Sequence, residues 1–175
     1  MTTFNKSTFS EVSRAILVSV FVVCAFFSIQ AERVEGEVVP FITRINFPGL
    51  KAKLDANKDK VIILDFWMSD CPNCRKAAPF MNRMYSKYKR RGLLIIGLSV
   101  DKDLEAARKL MSAAGTSYPT FLADNTIMNM YGVRLVPYHI YIGRKGRIKK
   151  RETGFYEDKR SEIEKEIVEL LGESD

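Results

Sequence analysis

The sequence predicts a single α/β domain in which a mixed central sheet carries helices on both faces. Two continuous apolar runs, VIILDFW at 61–67 and GLLIIGLSV at 92–100, have the composition of central strands covered on both sides. Between and after them apolar residues recur at intervals of three and four, the spacing of a helix face. Near the end, PYHIYIG and RIKKRETG stand either side of Arg144–Gly146 as the two arms of a hairpin. Parallel crossovers in the first half followed by a hairpin in the second require a mixed sheet.

The elements follow in order. FITRIN at 41–46 predicts a first strand and FPGLKAKLDANKDK at 47–60 a helix running into a polar turn. From Cys71 to Tyr88, the residues Ala77, Ala78, Met81, Met84, Tyr85 and Tyr88 recur as one helix face, and Pro79 bends it because it lacks a donor for the carbonyl four residues back. Asp101 is expected to cap the next helix, where Leu104, Ala107, Leu110 and Met111 share a face before Gly115 stops it. YPTFLA at 118–123 predicts a short strand, and NTIMNMYG at 125–132 a helical turn. The last segment, from Glu157 to Ser174, reads as a terminal helix with Ile163, Ile167 and Leu170 facing inward.

The beginning of the chain does not belong to this domain. Lys6 and Arg14 precede an uncharged apolar run at 15–29, the positive head and apolar middle of an export signal, with cleavage expected after Ala31. About 17 apolar residues also suffice to span a bilayer, so a retained membrane anchor is the competing expectation. The chain therefore divides into residues 1–31, signal peptide or anchor, and residues 32–175, the folded domain. Both alternatives place that domain in the periplasm or another extracytoplasmic space, secreted or tethered through residues 15–31.

Composition excludes several classes. Beyond residue 31 only Cys71 and Cys74 remain, too few for a disulfide framework or a four-thiolate zinc site. His139 is the only histidine. No cofactor and no resident metal are expected. A copper or zinc site completed by Met68, Asp70 and His139 is the competing idea, as in an exported metal chaperone. The formal net charge of +7 is concentrated in KRR at 89–91 and in RKGRIKKR at 144–151, which holds six cations. With no aromatic residue interleaved for base stacking, the second run predicts a solvated hairpin rather than a nucleic-acid surface.

The chemistry is carried by the stretch LDFWMSDCPNC, 64–74, in which two cysteines open a helix directly after a buried strand. Pro72 suits the first turn, where its missing donor costs little. The free N–H groups of that turn point back at Cys71 and favour its thiolate, the attacking species in exchange. Position thus makes Cys71 the nucleophile and Cys74 the resolving thiol. As a permanent staple the pair would close too small a loop to remove much unfolded-state entropy. Asp65 interrupts the central strand, where a carboxylate is costly unless protonated or hydrogen-bonded, and is the candidate proton relay for Cys74. Pro137 begins an apolar strand. A cis bond to Val136 is expected to leave the Val136 backbone beside Cys71 for an extended substrate. Trp67, Val136, Pro72 and Asn73 are the candidate substrate contacts.

With these residues in place the chain resembles the thioredoxin superfamily. VIILDFWMSDCPNC is similar to its strand and active-site turn, Pro79 to the helix-kinking proline, Val136–Pro137 to the cis-proline loop, and Gly154 to the glycine after the final strand. SYPTFLADNTIMNMYGVRLVPYHIYIGRKGRI, 117–148, resembles the periplasmic or membrane-tethered branch related to TlpA and ResA. The resemblance implies a thioredoxin fold and a thiol–disulfide oxidoreductase acting on protein disulfides in envelope quality control or cytochrome c maturation, recharged by an upstream redox partner. Three positions depart from the pattern: Asp70 replaces a tryptophan, Gly97 replaces a lysine beside the buried aspartate, and Ala77 replaces a glutamate of cytochrome-maturation members. Asp70, next to Cys71, opposes its thiolate, so a reductase or general exchanger is expected rather than a strong oxidant. A non-enzymatic redox-controlled interaction module, or the metal chaperone above, is the alternative.

Overall fold

A computed structural model describes residues 42–173, so the expected signal or anchor segment lies outside the described residues. The elements run β1 (Thr43–Ile45), α1 (Phe47–Asp55), β2 (Val61–Trp67), α2 (Pro72–Tyr88), β3 (Leu93–Ser99) and α3 (Leu104–Ala113). They continue with β4 (Thr120–Ala123), α4 (Asn125–Tyr131), β5 (Tyr138–Ile142), β6 (Ile148–Thr153) and α5 (Arg160–Gly172). The sheet order is β1-β4-β3-β2-β5-β6. The first four strands are mutually parallel, while β5 runs antiparallel to both β2 and β6. This is the mixed sheet that the two apolar runs and the hairpin imply.

All seven residues of β2 are buried, as an apolar run between two other strands must be. Its pleat divides the core. Val61 and Ile63 pack with Met81 and Met84 of α2 and Ile163 and Ile167 of α5. Ile62, Leu64 and Phe66 point the other way, toward Leu50 of α1 and Ile127 of α4. At the carboxyl end of β2 a third cluster joins Trp67 to Cys74, Ala107, Met111 and Leu122. This cluster is the bed on which the cysteine turn rests.

Helix starts follow side-chain chemistry. Asn46 accepts from the Gly49 N–H at 3.0 Å and Asp124 from the Ile127 N–H at 2.9 Å. The expected cap at Asp101 is corrected: Asp103 accepts from the Glu105 N–H at 2.9 Å and caps α3. Asp101 sits two residues too early, at the end of β3. There it receives the Ser69 N–H at 3.1 Å and the hydroxyls of Ser69 and Ser99, each at 2.7 Å. It therefore ties the turn before Cys71 to the neighbouring strand.

Several cations of the β5–β6 hairpin are engaged by the chain itself. Arg144 donates to the carbonyls of Leu171 at 3.2 Å and Glu173 at 3.1 Å, closing the carboxyl end of α5. Lys149 pairs with Glu173 at 2.7 Å, and Lys150 with Glu166 at 3.2 Å. The run reads in three dimensions as a seam between hairpin and terminal helix.

One glycine is fixed by a close approach. Gly97 pairs in register with Asp65 on one side and Thr120 on the other. A Cβ there would stand 2.4 Å from Thr120 Oγ1 and 3.0 Å from the Tyr118 ring. Gly97→Ala is expected to lower stability by about 1–3 kcal/mol, as overpacking of a filled core does. Urea unfolding of the reduced protein checks this, and an unchanged midpoint refutes it.

Candidate active site

The strand that carries Asp65 delivers the chain at Trp67 into a tight turn. The Cys71 N–H donates to the Met68 carbonyl at 3.3 Å, Asp101 holds Ser69, and the Arg75 guanidinium donates to the Ser69 carbonyl at 2.9 Å. Cys71 then takes the N-cap position with extended backbone, and Pro72 opens α2. The Cys71 sulfur accepts the Cys74 N–H at 3.2 Å. A helix-start donor thus points at the outer sulfur, the arrangement that favours its ionised form.

The two thiols, both free, differ in environment. Cys71 is half-buried beside an open groove, whereas Cys74 is 1% exposed within the Trp67 cluster. Burial pushes the Cys74 thiol well above its ordinary value, with the Cys71 hydrogen bond and the Asp65 charge adding to the rise and a Met68 backbone contact opposing it. The Val136–Pro137 bond is cis, and the Cys71 thiol lies 3.7 Å from the Val136 carbonyl oxygen. Pro72 is exposed and Asn73 half-buried at the first turn.

The groove encloses about 1040 Å³ and runs from Cys71 and Pro72 to α4. Its apolar lining includes Met68, Val100, Met128 and Val136, and Leu135 at its edge is 69% exposed. Trp67 does not share this surface. It packs inward against Cys74 with 6% exposure, so the apolar rim expected from Trp67 is supplied by Leu135 and Val136. The physical reason is the pleat: Trp67 shares the face of Ile63 and Asp65, which the helices cover.

Asp65 is 3% exposed. The departure at Gly97 removes a lysine charge partner from Asp65, and two other groups stand at the carboxylate instead. The Tyr118 hydroxyl donates to Oδ2 at 2.9 Å and His139 Nε2 stands 3.2 Å from Oδ1. Gly97 leaves the space that the Tyr118 ring enters. Burial and the adjoining Asp65 charge push the Tyr118 phenol well above its ordinary value, so it stays a donor. His139 is fully buried on β5 opposite Asp65, while Met68 and Asp70 line the open groove. The three residues of the metal reading are thus not brought together, and among the described residues no three His, Cys, Asp or Glu side chains are grouped to hold an ion.

Tyr118 and His139 are the site residues that sequence reasoning did not place. The available signal was one imidazole within the apolar strand YHIYI. Its meaning depends on the β2–β5 register, which sets His139 directly across from Asp65.

The Redoxin family model matches residues 35–167. The chain belongs to the Redoxin family. It is 29% identical over 130 residues to the thiol-disulfide oxidoreductase ResA of Bacillus thuringiensis (strain Al Hakam), covering 74% of this chain and 75% of that one. ResA of Bacillus subtilis (strain 168) is 28% identical over 121 residues, 69% of this chain and 68% of that protein. Among solved structures, a putative thiol:disulfide interchange protein DsbE from Chlorobium tepidum superposes with a TM-score of 0.64 at 29% identity, covering 68% of this chain and 85% of that chain. A putative protein disulfide isomerase from Bacteroides thetaiotaomicron gives 0.61 at 26% identity, covering 69% and 79%. The sheet order, the helices on both faces and these superpositions identify the thioredoxin fold.

Two measurements follow from the contrast between the thiols. Iodoacetamide added to the native reduced protein should modify Cys71 roughly tenfold or more faster than Cys74. Peptide mapping after a short pulse reads this directly, and equal labelling overturns it. Because the folded Cys74 thiol binds its proton more tightly than the unfolded one, its contribution to stability is intact below the ordinary value of 9.0 and is lost as pH rises beyond it. Unfolding of the reduced form between pH 8 and 10.5 should show that decline, and Cys74→Ala should flatten it.

Proposed function

We propose that this chain is a thiol–disulfide oxidoreductase that reduces or exchanges protein disulfides through Cys71 and Cys74. The observation that carries the reading is the asymmetric pair at the start of α2: an accessible sulfur holding a helix-start N–H at 3.2 Å, and a buried thiol one turn in. Cys71 attacks a substrate disulfide and forms a mixed disulfide, with the electron pair leaving on the other substrate sulfur. Cys74 then loses its proton to Asp65 and attacks Cys71. The internal bond closes and the reduced substrate departs. Two electrons pass to the substrate, and an upstream dithiol partner restores the pair.

Val136, Pro137 and the groove beyond them position the substrate backbone in this reading, with Pro72 and Asn73 at its near edge. The reducing direction is supported by Asp70, which is exposed beside Cys71, has no ion-pair partner among the described residues, and opposes the thiolate that would stabilise the reduced pair. The domain works outside the cytoplasm, supported by Lys6 and Arg14 before the uncharged run at 15–29, as a secreted or tethered protein of envelope quality control or cytochrome c maturation.

Titration of the Cys71–Cys74 couple against glutathione or dithiothreitol should give a potential nearer to about −270 mV than to about −120 mV. A value at the oxidising end sinks the assigned direction. Insulin reduction should fall roughly 100-fold or more in Cys71→Ser. Cys74→Ala should accumulate substrates disulfide-linked to Cys71, and an absence of such adducts removes the role given to Cys74.

A further inference from the structure

Among the described residues, His139 is a fully buried side chain neither of whose ring nitrogens has an aligned hydrogen bond. Unpaired polar atoms in an apolar interior are costly, so the ring is held there for a reason other than packing. Its Nε2 lies 3.2 Å from Asp65 Oδ1, close enough to act on the carboxylate's charge although off the line of a hydrogen bond. The broad torsion of an imidazole about its last bond makes alignment inexpensive.

The other groups on this face are already engaged. Glu152, the cross-strand neighbour of His139 on β6, takes Lys159 at 3.1 Å and the Tyr141 hydroxyl at 3.4 Å. Glu166 of α5 is held by Lys150 at 3.2 Å. Tyr118, entering before β4, occupies the other oxygen of Asp65 at 2.9 Å. Cys74, on α2, feels the Asp65 charge. What remains for His139 is Asp65 Oδ1.

We infer that His139 is a positioning residue that holds the Asp65 carboxylate in place, and through it sets how fast Cys74 closes on Cys71 in the resolving step. The inference rests on the exchange reading above. In that step the proton leaves Cys74 for Asp65, the Cys74–Cys71 bond forms, the bond from Cys71 to the substrate breaks, and the electron pair departs on the substrate sulfur. Without the imidazole, Asp65 keeps only the Tyr118 hydroxyl against it, and the carboxylate is less firmly placed to take the proton.

The reaction of reduced protein with 5,5′-dithiobis(2-nitrobenzoate) separates the steps. The first thionitrobenzoate release reports Cys71, and the second reports closure by Cys74. In His139→Leu and His139→Met the pH profile of the second release should move up by about one unit, slowing it about tenfold near pH 7. Methionine is flexible and of similar size but offers no donor, so that variant reads the effect even if leucine fails to fold. In the Asp65→Asn background neither substitution should move the profile further, which a packing role alone would not produce. Profiles that superpose on the wild type, or a displacement that survives largely intact without Asp65, overturn the inference. Absence of any second release in the wild type would instead refute the exchange reading itself.

Discussion

The hydrogen bond from the Cys74 N–H to the Cys71 sulfur organises everything around it. At 3.2 Å it commits the first turn of α2 to holding a sulfur rather than water or an oxygen cap. Three supports keep it in register. Pro72 supplies a backbone already set for a helix, Asp101 anchors the turn through Ser69, and the Trp67 cluster fills the volume beneath Cys74. The outer sulfur is consequently placed by the helix and the inner one by the core. The difference between the thiols follows from that placement without any metal or cofactor entering the argument.

The sheet contributes a second constraint from the opposite direction. Placing a carboxylate in the fully buried β2 is tolerable only with polar groups to meet it, and two neighbouring chain segments bring them: the Tyr118 hydroxyl donates to one oxygen and His139 Nε2 stands beside the other. Tyr118 reaches Asp65 because Gly97, between them in the sheet, has no side chain. His139 reaches it because β5 is antiparallel to β2 in a register that sets the two residues opposite one another. A one-residue slip would turn His139 to the other face, beside Leu64 and Phe66. Strand register is therefore part of the chemistry.

Much of this was legible in the residues themselves. The apolar runs gave β2 and β3, the helical spacing gave α2 and α5, and the hairpin closed where Arg144–Gly146 suggested. The CxxC pair at a strand-to-helix junction carried its own division of roles because helix-start donors act locally. What the sequence left hidden is what depends on tertiary register. Trp67 reads equally as rim or core until the pleat is known, and Gly97 reads as a missing lysine until Tyr118 is seen in its place. Asp101 and Asp103 compete for one cap, and two residues of strand decide between them. His139 enters only the competing metal reading, because its visible attribute in the sequence is to be the single histidine.

The two sulfurs answer to separate sets of groups, and that separation matters for how such a protein diverges. Cys71 borders an open groove with Asp70 and Val136, so in the proposed exchange changes there act on the attack and on the fit of a substrate backbone. Cys74 is enclosed with Trp67, where burial chiefly raises its proton affinity and the Asp65 charge adds to it. In the same reading, changes to the enclosed set act on the closing of the internal bond rather than on substrate recognition. Ala77 belongs to the enclosed side, in the core with Met81 and Ile163, and offers no proton-carrying group. The exchange proposed above accordingly routes the proton through the sheet, by Asp65, rather than through the helix that bears the cysteines. A carboxylate held between strands is fixed by register, whereas one on α2 would ride on a helix with Pro79 within it.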